Sequence, residues 1–190
     1  MSYAIFDLDD VLANLRDPIR AALAKAVGKD IPHHEWNRYD LAGIYNVSWE
    51  EILDAFLEHD ILDHATPEPG AQEALAAARA AGHRVAILTA RGWHPKGDAL
   101  TYQWLGDYRL LPDELRVVEM HRKKEEELTF YQQIAWMIDD NPAHVHGAEA
   151  TGLVDTVVMM DRAWNATSEH PTRVKDLFEF ASLLAQKKAG

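Results

Sequence analysis

Apolar residues in this chain fall into two alternating kinds of cluster. Short, nearly unbroken apolar runs stand at Tyr3 to Phe6, Arg84 to Leu88, Leu115 to Met120, Ile134 to Ile138 and Val154 to Met160. Runs of this length, rich in β-branched and aromatic residues, read as strands. Between them the apolar positions recur at helical spacing. Asp17-Pro18 opens a helix with Ile19, Leu23, Ala26 and Val27 on one face and Gly28 as its stop, with Asp17 as the expected N-cap. Ser48-Trp49-Glu50-Glu51 has the capping-box pattern and precedes an apolar stripe of Ile52, Leu53, Phe56 and Leu57. Further helices are predicted over 71–81, ended by Gly82, over 98–105, from Lys123 onward, over 142–150, and over 174–187.

Strands separated by helices of this length imply parallel β-α units. The expected fold is therefore α/β, a doubly wound, Rossmann-like, mostly parallel sheet of five strands. Residues 13–66 break the alternation with two helices and no strand, so they read as a small helical cap inserted after the first strand. The core domain would then comprise 1–12 and 67–190.

Composition narrows the chemistry. The 190 residues are 47% hydrophobic, enough for one principal core and a modest insertion. There is no cysteine, which excludes disulfides, thiolate metal sites and cysteine nucleophiles. A net charge of −12 and a pI near 5.2 disfavour an extended nucleic-acid surface or an anionic membrane and favour a small substrate. No apolar run approaches the roughly 20 residues needed to span a bilayer, and the chain starts without a basic-apolar leader. A cytoplasmic location is the expectation, with a homodimer open.

In open parallel sheets, ligands bind beyond the carboxyl ends of the strands. The chemically awkward residues of this chain stand at those ends. Asp7, Asp9 and Asp10 follow the first run, Thr89 and Arg91 the second, and Asp139 and Asp140 the fourth, with Lys123 and Lys124 after the third. Folding does not require carboxylates at strand tips. Two such charges about 4 Å apart repel by roughly 4 kcal/mol at an effective dielectric near 20. A hard cation with a preference for oxygen ligands, such as Mg²⁺, would turn that cost into a site.

The motif order resembles the haloacid dehalogenase-like phosphohydrolase superfamily over nearly the whole chain. The first motif stands as Asp7-Leu8-Asp9-Asp10-Val11, the second as Ala86-Ile87-Leu88-Thr89 and the fourth as Met137-Ile138-Asp139-Asp140. The third is a single lysine, either Lys123 or Lys124; Leu128 and Tyr131 at helical spacing favour Lys124. The resemblance implies that Asp7 is a nucleophile forming an aspartyl-phosphate and that Asp9 is acid and base. Thr89 and the lysine would hold phosphoryl oxygens, with Ala90 and Arg91 beside them. Mg²⁺ would bind Asp7, the backbone carbonyl of Asp9 and Asp139, with Asp140 direct or through water.

Finer phrases resemble the 5'(3')-deoxyribonucleotidase family and its bacterial and phage relatives. These are Phe6 to Ala13, Pro69-Gly70-Ala71, Leu88-Thr89-Ala90-Arg91, Ile138 to Pro142, and Met160-Asp161-Arg162-Ala163-Trp164-Asn165. The resemblance implies a nucleoside monophosphate substrate, and Trp36, Arg38 and Tyr39 in the insertion are candidates to contact it. Arg91 would touch phosphate or bridge cap to core. A polynucleotide 3'-phosphatase, or a phosphatase of another small metabolite, is the alternative. A receiver domain lacks the Asp-x-Asp spacing, and a silent binding module would not need Asp9. His33-His34 and His144-x-His146 read as surface histidines, and Trp104 and Trp136 as core.

Overall fold

A computed structural model describes residues 1–186. Its strands are β1 (Tyr3–Phe6), β2 (Ala13–Asn14), β3 (Thr66–Pro67), β4 (Arg84–Gly92), β5 (Glu114–Glu119), β6 (Ile134–Asp139), β7 (Val157–Met160) and β8 (Arg173–Val174). The α-helices are α1 (Arg16–Val27), α2 (Leu41–Tyr45), α3 (Trp49–Glu58), α4 (Ala71–Ala80), α5 (Gly97–Asp107), α6 (Pro142–Thr151) and α7 (Leu177–Gln186). The main sheet runs β5-β4-β1-β6-β7-β8 with every pairing parallel. The chain therefore winds outward from β1 through β4 to β5, returns to β6 on the other side of β1, and winds outward again. That reversal brings the carboxyl ends of β4, β1 and β6 together, as expected of a doubly wound sheet.

Side-chain alternation along the strands splits the core into two layers. Ala4, Phe6, Ile87 and Ile138 face α4 and α7, while Tyr3, Ile5, Leu88 and Met137 face α6 and the turn containing Leu128. Residues of the insertion belong to the first layer: Ile19, Leu23, Tyr45, Ile52 and Phe56 continue the apolar cluster that contains Phe6 and Leu8. Both chain crossings between 13–66 and the remainder are paired in one antiparallel ribbon of β2 and β3. Glu68 braces this junction by accepting from Arg16 and Arg162. Among the described residues no helix is long and apolar enough to cross a membrane.

Several local expectations need correction. The sheet has six strands rather than five, because two-residue β8 adds to β7, and a segment that short carries no periodicity. The last helix starts at Leu177 rather than Val174, which belongs to β8, and its expected end at Lys187 lies outside the described residues. Helix α1 is entered through Asn14, whose Oδ1 accepts from Asp17 N, so Asp17 sits in the first turn rather than at the cap. The segment after Lys123 is a 3₁₀ turn, Lys124–Phe130. Residues three apart eclipse in that geometry, which turns Lys124 and Glu127 inward together. The Ser48–Glu51 capping box forms as the sequence indicates.

Candidate active site

Four chain segments deliver the site. Asp7 follows β1, its N–H held by Ile138 O at 2.9 Å and its Oδ1 accepting from Leu8 N at 2.7 Å. Asp139 ends β6, with Oδ1 accepting from Asn141 N at 2.9 Å. Lys124 joins the two: its buried Nζ lies 2.6 Å from Asp7 Oδ1 and 2.7 Å from Asp139 Oδ2. Asp140 completes the group, its Oδ2 accepting from Trp164 Nε1 at 2.7 Å. Lys123 is exposed and outside this cluster. The ambiguity between the two lysines is thus one of side-chain direction, and Lys124 is the one turned towards Asp7.

Thr89 is fully buried, and its Oγ1 has no hydrogen-bond partner. A hydroxyl in that state costs free energy unless a ligand satisfies it. Beyond Thr89 the β4/β5 register shifts before Gly92, an irregularity of the kind found beside active sites. Ala90 lines the adjacent cavity. Arg91 is fully buried, and its guanidinium grips Asp9: Nε donates to both carboxylate oxygens at 3.0 Å and Nη2 donates to Oδ1 at 2.5 Å. Arg91 thus pairs with Asp9, 82 residues away in sequence.

The third acid, Asp10, has a different place. Its φ of +58° is left-handed, a region aspartate tolerates in turns. Its Oδ1 accepts from the N–H groups of Leu15 and Arg16, and Arg162 donates to its carbonyl. Asp10 thus shapes the turn between β1 and the insertion. Burial pushes its carboxyl up to about 6 against the pull of Arg16.

Electrostatics mark the cluster as short of positive charge. One oxygen from each of Asp7, Asp139 and Asp140 lies within 4.8 Å of the others, all three residues are buried, and Lys124 supplies one charge among them. Burial, with Asp139 and Asp9 nearby, pushes Asp7 up to about 7 despite Lys124. Burial and the neighbouring carboxylates push Asp140 well above the usual range. At Asp139, burial is outweighed by Lys124 and His144, which hold it low. An all-oxygen donor set of buried carboxylates fits a hard divalent cation such as Mg²⁺.

The sign of the pH dependence follows. A carboxyl raised in the folded state costs stability as pH rises from its unfolded value near 4 to its folded value, and protons compete with a cation for the same oxygens. Adding Mg²⁺ to metal-free protein should therefore raise Tm, and more at about pH 8 than at about pH 5.5. Thermal unfolding at both pH values checks this; an effect independent of pH would count against Asp7 as a ligand.

A cavity of about 270 Å³ opens from the acids towards the insertion. Its far wall includes Trp36, Trp49, Leu53, Phe56 and Trp93. Trp36 lines this cavity but is 3% exposed, with Nε1 donating to Ile31 O at 3.2 Å and its ring packed near Tyr45 and Trp164. Arg38 and Tyr39 also line it and are exposed. Tyr39 is 54% exposed, and its hydroxyl pKa is raised well above the usual range by local burial and by Asp140, Asp7 and Asp139.

Two residues of the cavity were not legible as such. His144 reads as a surface histidine in sequence, but it lines the cavity with Nδ1 3.4 Å from Asp139 Oδ2, lacking a hydrogen bond. Its position in the first turn of the helix after Asp139-Asp140 was the available signal. Trp164 supports Asp140, and Asn165 Nδ2 donates to the Asp140 carbonyl at 2.7 Å. Both lie in the Met160–Asn165 phrase, whose role no local pattern discloses.

No protein-family model matches this sequence, and no curated protein matches it. Solved structures do. A protein described as Protein Tyrosine Kinase A (PtkA) of Mycobacterium tuberculosis superposes with a TM-score of 0.70 at 20% identity, over 96% of this chain and 97% of that one. The haloacid dehalogenase-like hydrolase SP0104 of Streptococcus pneumoniae gives 0.69 at 15% identity, over 96% and 98%. A predicted phosphatase of Clostridium acetobutylicum gives 0.68 at 17%, over 97% and 98%. At these identities the likeness is one of fold, and that fold is the Rossmann-like sheet of the haloacid dehalogenase type.

Proposed function

We propose that this protein is a Mg²⁺-dependent phosphomonoester hydrolase that works through an aspartyl-phosphate on Asp7. The observation that carries the reading is the pairing of Asp7, which lines the cavity, with buried Lys124, together with the unpartnered hydroxyl of buried Thr89 on the neighbouring strand β4. Asp7 attacks phosphorus with the carboxylate oxygen facing the cavity. Lys124 and Thr89 donate to the phosphoryl oxygens, offsetting the repulsion between carboxylate and phosphate dianion. Asp9 gives a proton to the leaving oxygen and takes one from the water that hydrolyses the intermediate. Bound at Asp7, Asp139 and Asp140, Mg²⁺ would neutralise further charge on the transferring group.

For the substrate, we favour a nucleoside monophosphate, with residues 13–66 acting as the cap over it. The aromatic wall of the cavity offers faces on which a base can stack. The net charge of −12 works against a polynucleotide end. A screen of phosphate release with Mg²⁺ from mononucleotides, sugar phosphates and a 3'-phosphorylated oligonucleotide tests both levels. Mononucleotides should lead, and chelation should abolish release. Preference for the oligonucleotide would favour end repair, and release from none would end the hydrolase reading.

The two aromatic candidates should now behave differently. Trp36→Ala removes a packed core ring and is expected to cost about 3–5 kcal/mol of stability. Tyr39→Phe removes only a hydroxyl, and should leave stability within about 0.5 kcal/mol while changing turnover. Urea unfolding and steady-state kinetics on the same two variants separate these outcomes.

A further inference from the structure

The geometry points to Arg91 as the positioning residue of Asp9, the group that fixes how this carboxylate faces a leaving oxygen; this rests on the reading of Asp9 as acid and base. Asp7, Asp10 and Asp139 are each held by a backbone N–H in addition to a cation. Asp9 is held by Arg91 alone among the described residues.

Arg91 is itself closely packed. Its side chain is fully buried at the end of β4, with Nη1 donating to Thr101 Oγ1 at 3.4 Å. Its carbonyl accepts from His94 N at 3.1 Å, and a Cβ at Gly97 would collide with that carbonyl, so α5 is pressed directly against it. A buried guanidinium stripped of its partner is costly. Asp9 therefore works in place, without swinging away from Arg91 during turnover. The contacts are also unequal. Oδ1 receives both Nη2 at 2.5 Å and Nε at 3.0 Å, whereas Oδ2 shares only the Nε bond. Oδ2 keeps free lone pairs, and the Asp9 side chain, 24% exposed, lines the cavity. The proton that Asp9 passes to the leaving oxygen and takes back from water is carried on Oδ2.

The test uses Mg²⁺-loaded protein and two esters, thymidine 5'-monophosphate with a poor alkoxide leaving group and p-nitrophenyl phosphate with a good one. Rates of the first turnover are measured for Arg91→Met in the wild-type and Asp9→Asn backgrounds. Mispositioning the acid should slow the alkyl ester about 100-fold and the aryl ester less than about fivefold. In the Asp9→Asn background, Arg91→Met should add less than about a twofold loss, because the two residues act as a unit. Arg91→Lys keeps the charge but not the fork, and should show the same selectivity with a smaller amplitude; it carries the test where Arg91→Met does not fold. In metal-free protein, the drop in urea midpoint caused by Arg91→Met should shrink in the Asp9→Asn background. Equal losses on both esters, or undiminished losses in the Asp9→Asn background, would overturn the assignment. A wild type inert towards both esters removes the hydrolase reading and with it this role, while a non-additive urea cycle would still identify the Arg91–Asp9 pair as structural.

Discussion

Asp7→Asn should abolish turnover and any acid-stable phosphoenzyme while leaving the fold intact. The side chain is nearly isosteric, and the amide oxygen can still accept from Leu8 N, as Asp7 Oδ1 does at 2.7 Å. What is lost is the proposed nucleophile. A loss of at least about 10⁴ in kcat is expected, since a covalent route split into two steps has no substitute when its attacking group is removed. The stability change should have the opposite sign to the activity change. Burial pushes the Asp7 carboxyl up to about 7, so in metal-free protein its ionisation costs stability as pH rises, and a neutral amide escapes that cost. At about pH 8 the metal-free variant should equal or exceed the wild type in urea midpoint. Mass analysis after acid quench should find a phosphoryl adduct in wild type and none in the variant. A variant that still turns over would remove Asp7 from the proposed role.

Lys124→Met should be strongly destabilising. Lys124 is 2% exposed and pairs with two buried carboxylates, and burial is outweighed by those charges, which hold its ammonium above the usual lysine range. Removing one partner of a buried ion pair costs about 3–5 kcal/mol because the remaining charges are left uncompensated. The deficit should depend on pH. Without the ammonium, Asp7 and Asp139 lose the interaction that favours their charged forms, so their folded pKa values rise and stability falls as pH climbs through them. The loss relative to wild type should therefore be larger at about pH 8 than at about pH 5.5, read by urea unfolding in metal-free buffer. Lys123→Met is the control: its side chain is exposed, and about 0.5 kcal/mol or less is expected. Equal effects at the two positions, or a deficit constant with pH, would contradict the central place of Lys124 in the charge balance.

The contrast between these lysines shows how far local pattern reaches. Asp7 and Asp139 were legible because an apolar run ending in acids is a one-segment signal, and parallel winding brings such ends together. Strand and helix placement was legible for the same reason. The periodicities of 2 and 3.6 lie within a few consecutive residues, and Gly28, Gly82 and Gly152 end their segments with positive φ as the sequence pattern suggests. Strand β8 was not legible, because two residues carry no period and pairing with β7 alone defines it.

Side-chain direction and distant partners were decided by tertiary structure. Trp36, Tyr39 and Arg38 look equivalent as insertion residues, but packing drew the Trp36 ring into the core and left Tyr39 and Arg38 exposed where they line the cavity. Arg91 lies in the same phrase as Thr89, yet its partner is 82 residues away in sequence. His144 became a cavity residue only because α6 starts directly beyond Asp139 and Asp140. Local spacing, and the burial each segment requires, determined the long strands and helices and which strand ends carry charge. Which charge meets which was settled by the side-by-side placing of β4, β1 and β6 in the sheet, because a buried ion must find its partner wherever the chain has placed one.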